Sequence, residues 1–328
     1  MTPRRRRLVG LGLGAMIMAR ARAAAPPPPG QRRLGVLLYE QEQTWAGLAL
    51  SMRQALAALG WVEGTNLRTE WHYAEGDAVR LAALAADLVR SGVEAVFTRG
   101  STATRALQRA SQTLPIITGV GDPVGSGFAQ TLARPGGNIT GISYAFAETT
   151  QKQLQFIREV VPRLAHLTII QQANRRGDVA EGTRTVEAAA QALGLSTRRV
   201  QMVDAGGLSQ ALDRASNPGT QAAYVFDFSL PPDPKPVAAA LLRARLPSIC
   251  TSREFVMAGG LMSYNLDWDN QVQRSATQID KVLRGEAPGR IPFEFPTLSE
   301  LAINARTAAA LGLSIPPALR LRAEVVIE

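Results

Sequence analysis

The stretch EAVFTRGSTATRALQRASQTLPIITG, Glu94–Gly119, decides the fold. AVFT is a short apolar run that stops at Arg99-Gly100. STATRALQRASQ has helical spacing, and LPIITG is a second apolar run. A helix of roughly ten residues between two such runs specifies a strand–helix–strand unit, in which parallel strands are covered by helices on both faces.

The same grammar extends in both directions. Upstream, RRLGVLLY (Arg32–Tyr39) reads as a strand. Thr44–Leu59 reads as a helix, with Trp45, Leu48, Met52, Leu56 and Leu59 on one stripe and Gly60 as its stop. LRTEWHY (Leu67–Tyr73) is a strand, and the next helix starts behind Asp77 and ends at Gly92. NITGIS (Asn138–Ser143) is a fifth strand. Downstream, HLTIIQ, STRRVQMV, AAYVFD and LPSICTS alternate with helices at Asp178–Leu193, Gly207–Ser216 and Lys235–Arg245. Ala222–Ser252 repeats the strand, loop, helix, Leu-Pro, strand order of Glu94–Gly119. Two sheets of similar topology are therefore expected in one chain. Gly259–Trp268, Asp269–Gly285 and Glu300–Leu313 supply further strands and helices. If they return to each lobe in turn, three chain passes form a hinge: 33–144 with about 265–290 make one lobe, and about 145–264 with 291–328 make the other.

The net charge of +9 is concentrated at the start, where Arg4, Arg5, Arg6, Arg7, Arg20 and Arg22 precede any acid, and the remainder carries only +3. That balance argues against a nucleic-acid-tracking surface. MTPRRRR, the apolar run Leu8–Ala19 and the small residues up to Ala25 have the layout of a signal peptide of the twin-arginine or ordinary secretory kind. Residues 26–32 then form a proline-rich linker. An exported, periplasmic monomer is expected. Cys250, the one cysteine, lies in an apolar run and reads as a core thiol. The two histidines, His72 and His166, are too few for a histidine-based metal or catalytic site. No cofactor and no metal are expected.

PIITGVGDPVGSG, Pro115–Gly127, tests the site chemistry. Gly119 and Gly121 fit the start of a dinucleotide fingerprint, but Val124 holds the third glycine position and Asp122 would repel pyrophosphate. Asp122-Pro123 reads as a cap that opens a short helix through VGSGFAQTLA; the same carboxylate, at a strand's C-terminal end, can also meet a ligand ammonium. Thr98, Gly100, Ser101 and Thr102 precede a helix and offer an anion site, with Ser101 as N-cap in the plainer reading. Tyr39, Glu40 and Trp45 in YEQEQTW form a third wall. From the other lobe come SYAF (Ser143–Phe146), Asp227, the pair Arg253-Glu254, which also reads as an internal ion pair, and Tyr264 on a crossover.

GWVEGTNLRTEWHYAEG, GVGDPVGSGFAQTLARPGGNITGIS, REFVMAGGLMSY and LGLSIPPALRLRAEVVIE together resemble the ABC transporter substrate-binding proteins that include tryptophan- and tyrosine-binding members. The resemblance runs from about Arg33 to Glu328. It implies a type I periplasmic-binding-protein fold: two Rossmann-like lobes with parallel sheets, a three-segment hinge, a small ligand trapped by closure, a permease as partner and no catalysis. It also implies that Tyr39–Glu40, Thr98–Thr102, Gly121–Asp122, Asp227 and Arg253–Glu254 line the cleft. The first loop departs from the serine- and histidine-bearing loops of amino-acid binders, which leaves the ligand open. Two other classes remain: an enzyme of like architecture, using Asp122 with Glu254 or Asp227 as an acid–base pair, and a sensor acting through a separate partner.

Overall fold

Alternate residues of the first strand enter different cores. Leu34, Val36 and Leu38 of β1 (Arg32–Leu38) pack on one face of the sheet and Leu37 packs on the other. A strand buried on both faces belongs in the middle of a parallel sheet, and β1 lies there. The computed structural model describes residues 30–172, 178–202, 204–214, 222–226, 229–231, 233–296 and 299–328. The expected leader and most of the linker lie outside the described residues, as does Asp227.

The first sheet holds β2 (Leu67–Tyr73), β1, β3 (Ala95–Arg99), β4 (Ile116–Val120) and β5 (Ile139–Ser143) in that spatial order, every neighbouring pair parallel. Helices α1 (Glu42–Ala58), α2 (Ala78–Ser91) and α3 (Ser101–Ala110) make the crossovers. Asp77 caps α2 by accepting from the amides of Val79 and Arg80, and Gly92 closes it at φ 75°.

The chain then crosses over at Tyr144–Ala145 into α4 (Phe146–Val160). The second sheet contains β6 (His166–Gln172), β7 (Ser196–Met202), β8 (Ala222–Val225), β9 (Ser248–Cys250) and β10 (Met262–Leu266), in the order β7-β6-β8-β9-β10. This repeats the order of the first sheet, so the sequence echo reflects matching topology. Helices α5 (Asp178–Ala192), α6 (Ala205–Arg214), α7 (Lys235–Arg243) and the short α8 (Arg253–Met257) connect these strands. Cys250 is buried in the layer formed with α6 and α7.

After β10 the chain returns to the first lobe. Val272, Ala276, Ile279 and Leu283 of α9 (Trp268–Leu283) pack with Leu48, Met52 and Leu56 of α1. Apart from Ala276, each such side chain stabilises the contact by roughly 1.5–3 kcal/mol when fully buried. Asp280 accepts from the indole of buried Trp61 at 2.7 Å, locking α9 beside the end of α1. Ile291 and Phe293 also pack in the first lobe, and Glu294 bridges to Ile142 of β5. The chain then re-enters the second sheet as β11 (Ser299–Asn304), followed by α10 (Ala305–Ala310), α11 (Pro317–Arg322) and β12 (Val325–Ile327). The passes between lobes thus fall at 144–145, after Leu266, and between Glu294 and Ser299. The second and third lie a few residues beyond the expected positions.

Two expectations need correction. The second sheet is not wholly parallel: β10 and β11 run antiparallel. β10 leaves its sheet at the inter-lobe end, so a strand entering from the first lobe must run the other way. The helix expected after Asp122-Pro123 is absent, and residues 123–127 form turns. Gly127 adopts φ 70°, a conformation that ends a helix, and Pro135 with Gly136 follow soon after.

Candidate functional site

Strand order sets the location. From β1 the chain moves to β2 on one side, while β3 takes the other side. Loops leaving β1 and β3 therefore diverge, opening a crevice at their C-terminal ends. Tyr39-Glu40 and Arg99-Gly100 flank that crevice.

Arg99, inside the Thr98–Thr102 stretch but given no role of its own from the sequence, stands at this mouth. The guanidinium carbon lies 5.2 Å from the ring centroids of both Trp45 and Tyr144. Gln271 Oε1 accepts from its Nη2 at 3.3 Å, and Gln271 is itself fixed by donating to the Leu266 carbonyl. Glu40 Oε2 accepts from Trp45 Nε1 at 2.9 Å, which orients that ring. Four segments meet here: the start of α1, the end of β3, the first hinge pass and the start of α9. A cue was present in the sequence, since an arginine that ends an apolar strand before glycine stands at the strand's C-terminal mouth.

The glycines of GVGDP have a packing role. A Cβ on Gly119 would lie 1.9 Å from the Tyr144 hydroxyl, and one on Gly121 would lie 3.3 Å from Phe146 Cβ. The loop is bare so that the two aromatics of the first hinge pass can lie against β4. Phe146 in turn stacks on Phe226 at the end of β8, with centroids 6.3 Å apart. SYAF, expected from the second lobe, thus straddles the boundary: Ser143 belongs to β5 and Phe146 opens α4.

Asp122 is exposed, and its Oδ1 accepts from the Gly125 amide at 2.8 Å. It caps a turn. It also lines an inter-lobe crevice of about 620 Å³ together with Ser126, and Gln151, Arg184 and Thr185 stand on the opposite side. An acid on one lobe faces a base on the other across this gap.

The remaining expected residues divide. Gly100, at φ 82°, is the N-cap of α3 in place of Ser101, because glycine alone takes that turn without strain. Ser101 and Thr102 occupy the helix's half-buried first turn beside Arg99. Thr98 is fully buried and donates to the Leu37 carbonyl at 2.6 Å, so its hydroxyl serves the sheet. Tyr39 donates to the Gly76 carbonyl and ties down the loop after β2. Arg253 and Glu254 do not pair with each other. Arg253 pairs with Glu300 at 3.0 Å, while Glu254 accepts from Ser252. Residues one apart at a helix start diverge by about 100°, which separates their side chains. Tyr264 is 7 % exposed and sits edge-on to Phe156, its hydroxyl shared with Ser299 and Lys152. It supports the second core. Among the described residues no cluster of three His, Cys, Asp or Glu could hold a metal ion. No helix among them is long and apolar enough to cross a membrane.

Two similar α/β lobes, three connecting passes and a crevice at the strand ends define a periplasmic-binding-protein fold. Solved structures agree. A conserved domain protein from Vibrio cholerae matches with a TM-score of 0.78 at 21% identity, covering 90% of this chain and 99% of its own. An ABC domain in complex with L-Trp from Streptococcus pneumoniae matches with a TM-score of 0.76 at 22% identity, covering 91% and 100%. A tyrosine-binding protein from Clostridioides difficile is 22% identical over 266 residues, which is 79% of this chain and 75% of that protein. The family model for ABC transporter substrate binding proteins matches residues 47–327. The chain belongs to that family.

Proposed function

We propose that this protein is the extracytoplasmic solute-binding component of an ABC importer. It is exported by its N-terminal leader, captures a small polar ligand between its lobes, and delivers it to a membrane permease. The ligand is an amino acid or a related aromatic compound, a choice supported by the tyrosine- and tryptophan-binding proteins it resembles.

One observation carries the mechanism: the strand ends of the first lobe, bearing Arg99 and Asp122, face the second lobe across a gap that the three passes span. A ligand that touches both lobes only when they close has differential affinity for the closed state, and this alone shifts the equilibrium. The proposed ligand-binding set is Glu40, Trp45, Arg99, Ser101, Thr102, Asp122 and Tyr144.

The test combines native mass spectrometry of the protein as purified with thermal unfolding in added L-tyrosine and L-tryptophan. A ligand at a hundred times its Kd stabilises the native state by about 2.7 kcal/mol, which raises Tm by roughly 4 °C at this size. Small-angle scattering should show a smaller radius of gyration with ligand. A co-purified solute that is chemically converted over hours, instead of being released intact, would reverse the assignment in favour of an enzyme.

A further inference from the structure

We propose that a second ligand site lies on the outer edge of the first lobe, between the start of α1 and the end of β2, and takes a quaternary ammonium group. It is independent of the solute-binding reading above. Every residue that lines it belongs to the first lobe, and none is in the proposed ligand-binding set.

β2 ends the first sheet, so no strand of that sheet pairs with its outer side. A crevice of about 460 Å³ opens there, with Glu42, Trp71, Tyr73, Glu75 and Arg80 among the residues around it. Trp71 and Tyr73 stand two residues apart on β2 and share its α1 side. Their ring planes are 18° apart, with centroids 6.5 Å apart, and both side chains are only partly buried. The indole N–H of Trp71 makes no hydrogen bond, unlike that of Trp45, so packing alone holds this ring. An aromatic face carries the negative side of the ring quadrupole and draws a cation.

The charges around the crevice select the same sign. Glu75 and Arg80 pair at 3.0 Å and cancel each other. Glu42 is exposed at the start of α1 and has no ion-pair or hydrogen-bond partner for its carboxylate among the described residues. Its field reaches the rings: burial first and Glu42 second push the Tyr73 phenol up, while Arg53 pulls it down more weakly. Among the acids and arginines that line the crevice, one carboxylate is thus left unbalanced beside two aromatic rings. The form of the cation follows. A primary ammonium brings three N–H donors, each needing an acceptor. A quaternary head brings none, spreads its charge over methyl groups, and is the cation that aromatic faces recognise.

The experiment is calorimetric titration of the intact mature protein, at constant ionic strength, with choline, with ethanolamine, and with 3,3-dimethylbutanol, the uncharged isostere of choline. Choline should bind at one saturable site, about tenfold or more tighter than either of the others. Glu42→Gln should weaken choline by about three- to fivefold and leave the alcohol unchanged. Trp71→Leu should weaken choline by a similar factor. Glu42 is exposed, so Glu42→Gln decides the matter even where Trp71→Leu fails to fold. Asp122→Asn, in the inter-lobe crevice, should leave choline binding as it is. Absence of saturable choline binding, equal affinity for choline and either comparison compound, or full choline affinity in Glu42→Gln overturns the proposal. Choline binding that is lost in Asp122→Asn places the cation between the lobes and overturns it as well. Solute capture is tested separately by L-tyrosine and L-tryptophan, so the failure of one reading leaves the other standing.

Discussion

Substituting Gly119 by alanine isolates the packing argument for the glycine-rich loop. Gly119 does not have positive φ and lies within β4, one residue before its end, so the backbone accepts alanine. The obstacle is Tyr144, whose Oη and Cζ would stand 1.9 and 2.5 Å from the new methyl. Neither distance is tolerable, so the ring must leave its place or β4 must shift. Overpacking of this kind costs about 1–3 kcal/mol. Tyr144 is only half-buried and can swing outward, which limits the cost but forfeits its contact with Arg99, about 0.5–1 kcal/mol at a semi-exposed site. A loss of about 1–2 kcal/mol is expected, or roughly 1.5–3 °C in Tm. Urea denaturation of the ligand-free protein measures it, and titration with the best-binding solute should show weakened affinity. A double-mutant cycle makes the test specific. With Tyr144→Ala already present, Gly119→Ala has nothing to strike and should be neutral, or stabilising by about 0.5 kcal/mol through the unfolded chain. If it costs as much in that background as in the wild type, the glycine is not there for Tyr144 and the reasoning fails.

Gly141→Ala should be far worse. Its Cβ would lie 1.8 Å from the Thr118 carbonyl oxygen, which is backbone and cannot turn aside, and Gly141 has φ 148°; a loss above about 3 kcal/mol, or failure to express folded protein, is expected on circular dichroism. Asp122→Asn keeps the acceptor for the Gly125 amide and should leave ligand-free stability within about 0.5 kcal/mol, whereas ligand affinity should fall if the charge acts in the cleft; equal affinity would leave Asp122 a turn cap alone. Ala145→Gly should be neutral to stabilising by up to about 1 kcal/mol on thermal unfolding, because alanine holds φ 44° and ψ 48° at the first hinge pass; Ala145→Val should destabilise. The hydrogen-bonded Arg199 guanidinium, at 2.7 Å on both oxygens, holds the Glu187 carboxyl below its ordinary range. A lowered folded pKa gives stability that is present above the unfolded value and is lost as pH falls through the folded one. Glu187→Gln should therefore lose up to about 1 kcal/mol at neutral pH for this partly exposed pair, and the gap from wild type in urea midpoint should shrink in acid.

Much of the fold could be read along the chain because its signals are local. Alternation of apolar runs with helical stripes needs only neighbours within about twenty residues, and the caps at Asp77, Gly92 and Gly194 are set by side chain and φ. The repeat of Glu94–Gly119 in Ala222–Ser252 carried the doubled topology for the same reason. The position of Asp122 just after a strand was local in the same way. Its predicted helix did not form, since Asp-Pro opens a turn as readily as a helix and the glycines beyond it decide between them.

The sequence by itself determined the βα alternation, the two sets of strands and the loops that end at strand mouths. The tertiary structure decided which side chains meet there. Arg99, Trp45, Tyr144 and Gln271 are spread over more than two hundred residues and converge only because the passes at 144–145 and after Leu266 return beside β3. Likewise, Tyr264 and Thr98 look like cleft residues in one dimension and are core residues in three. Periodicity fixes which face of an element is apolar. It does not fix the distance between two elements, and binding chemistry depends on that distance.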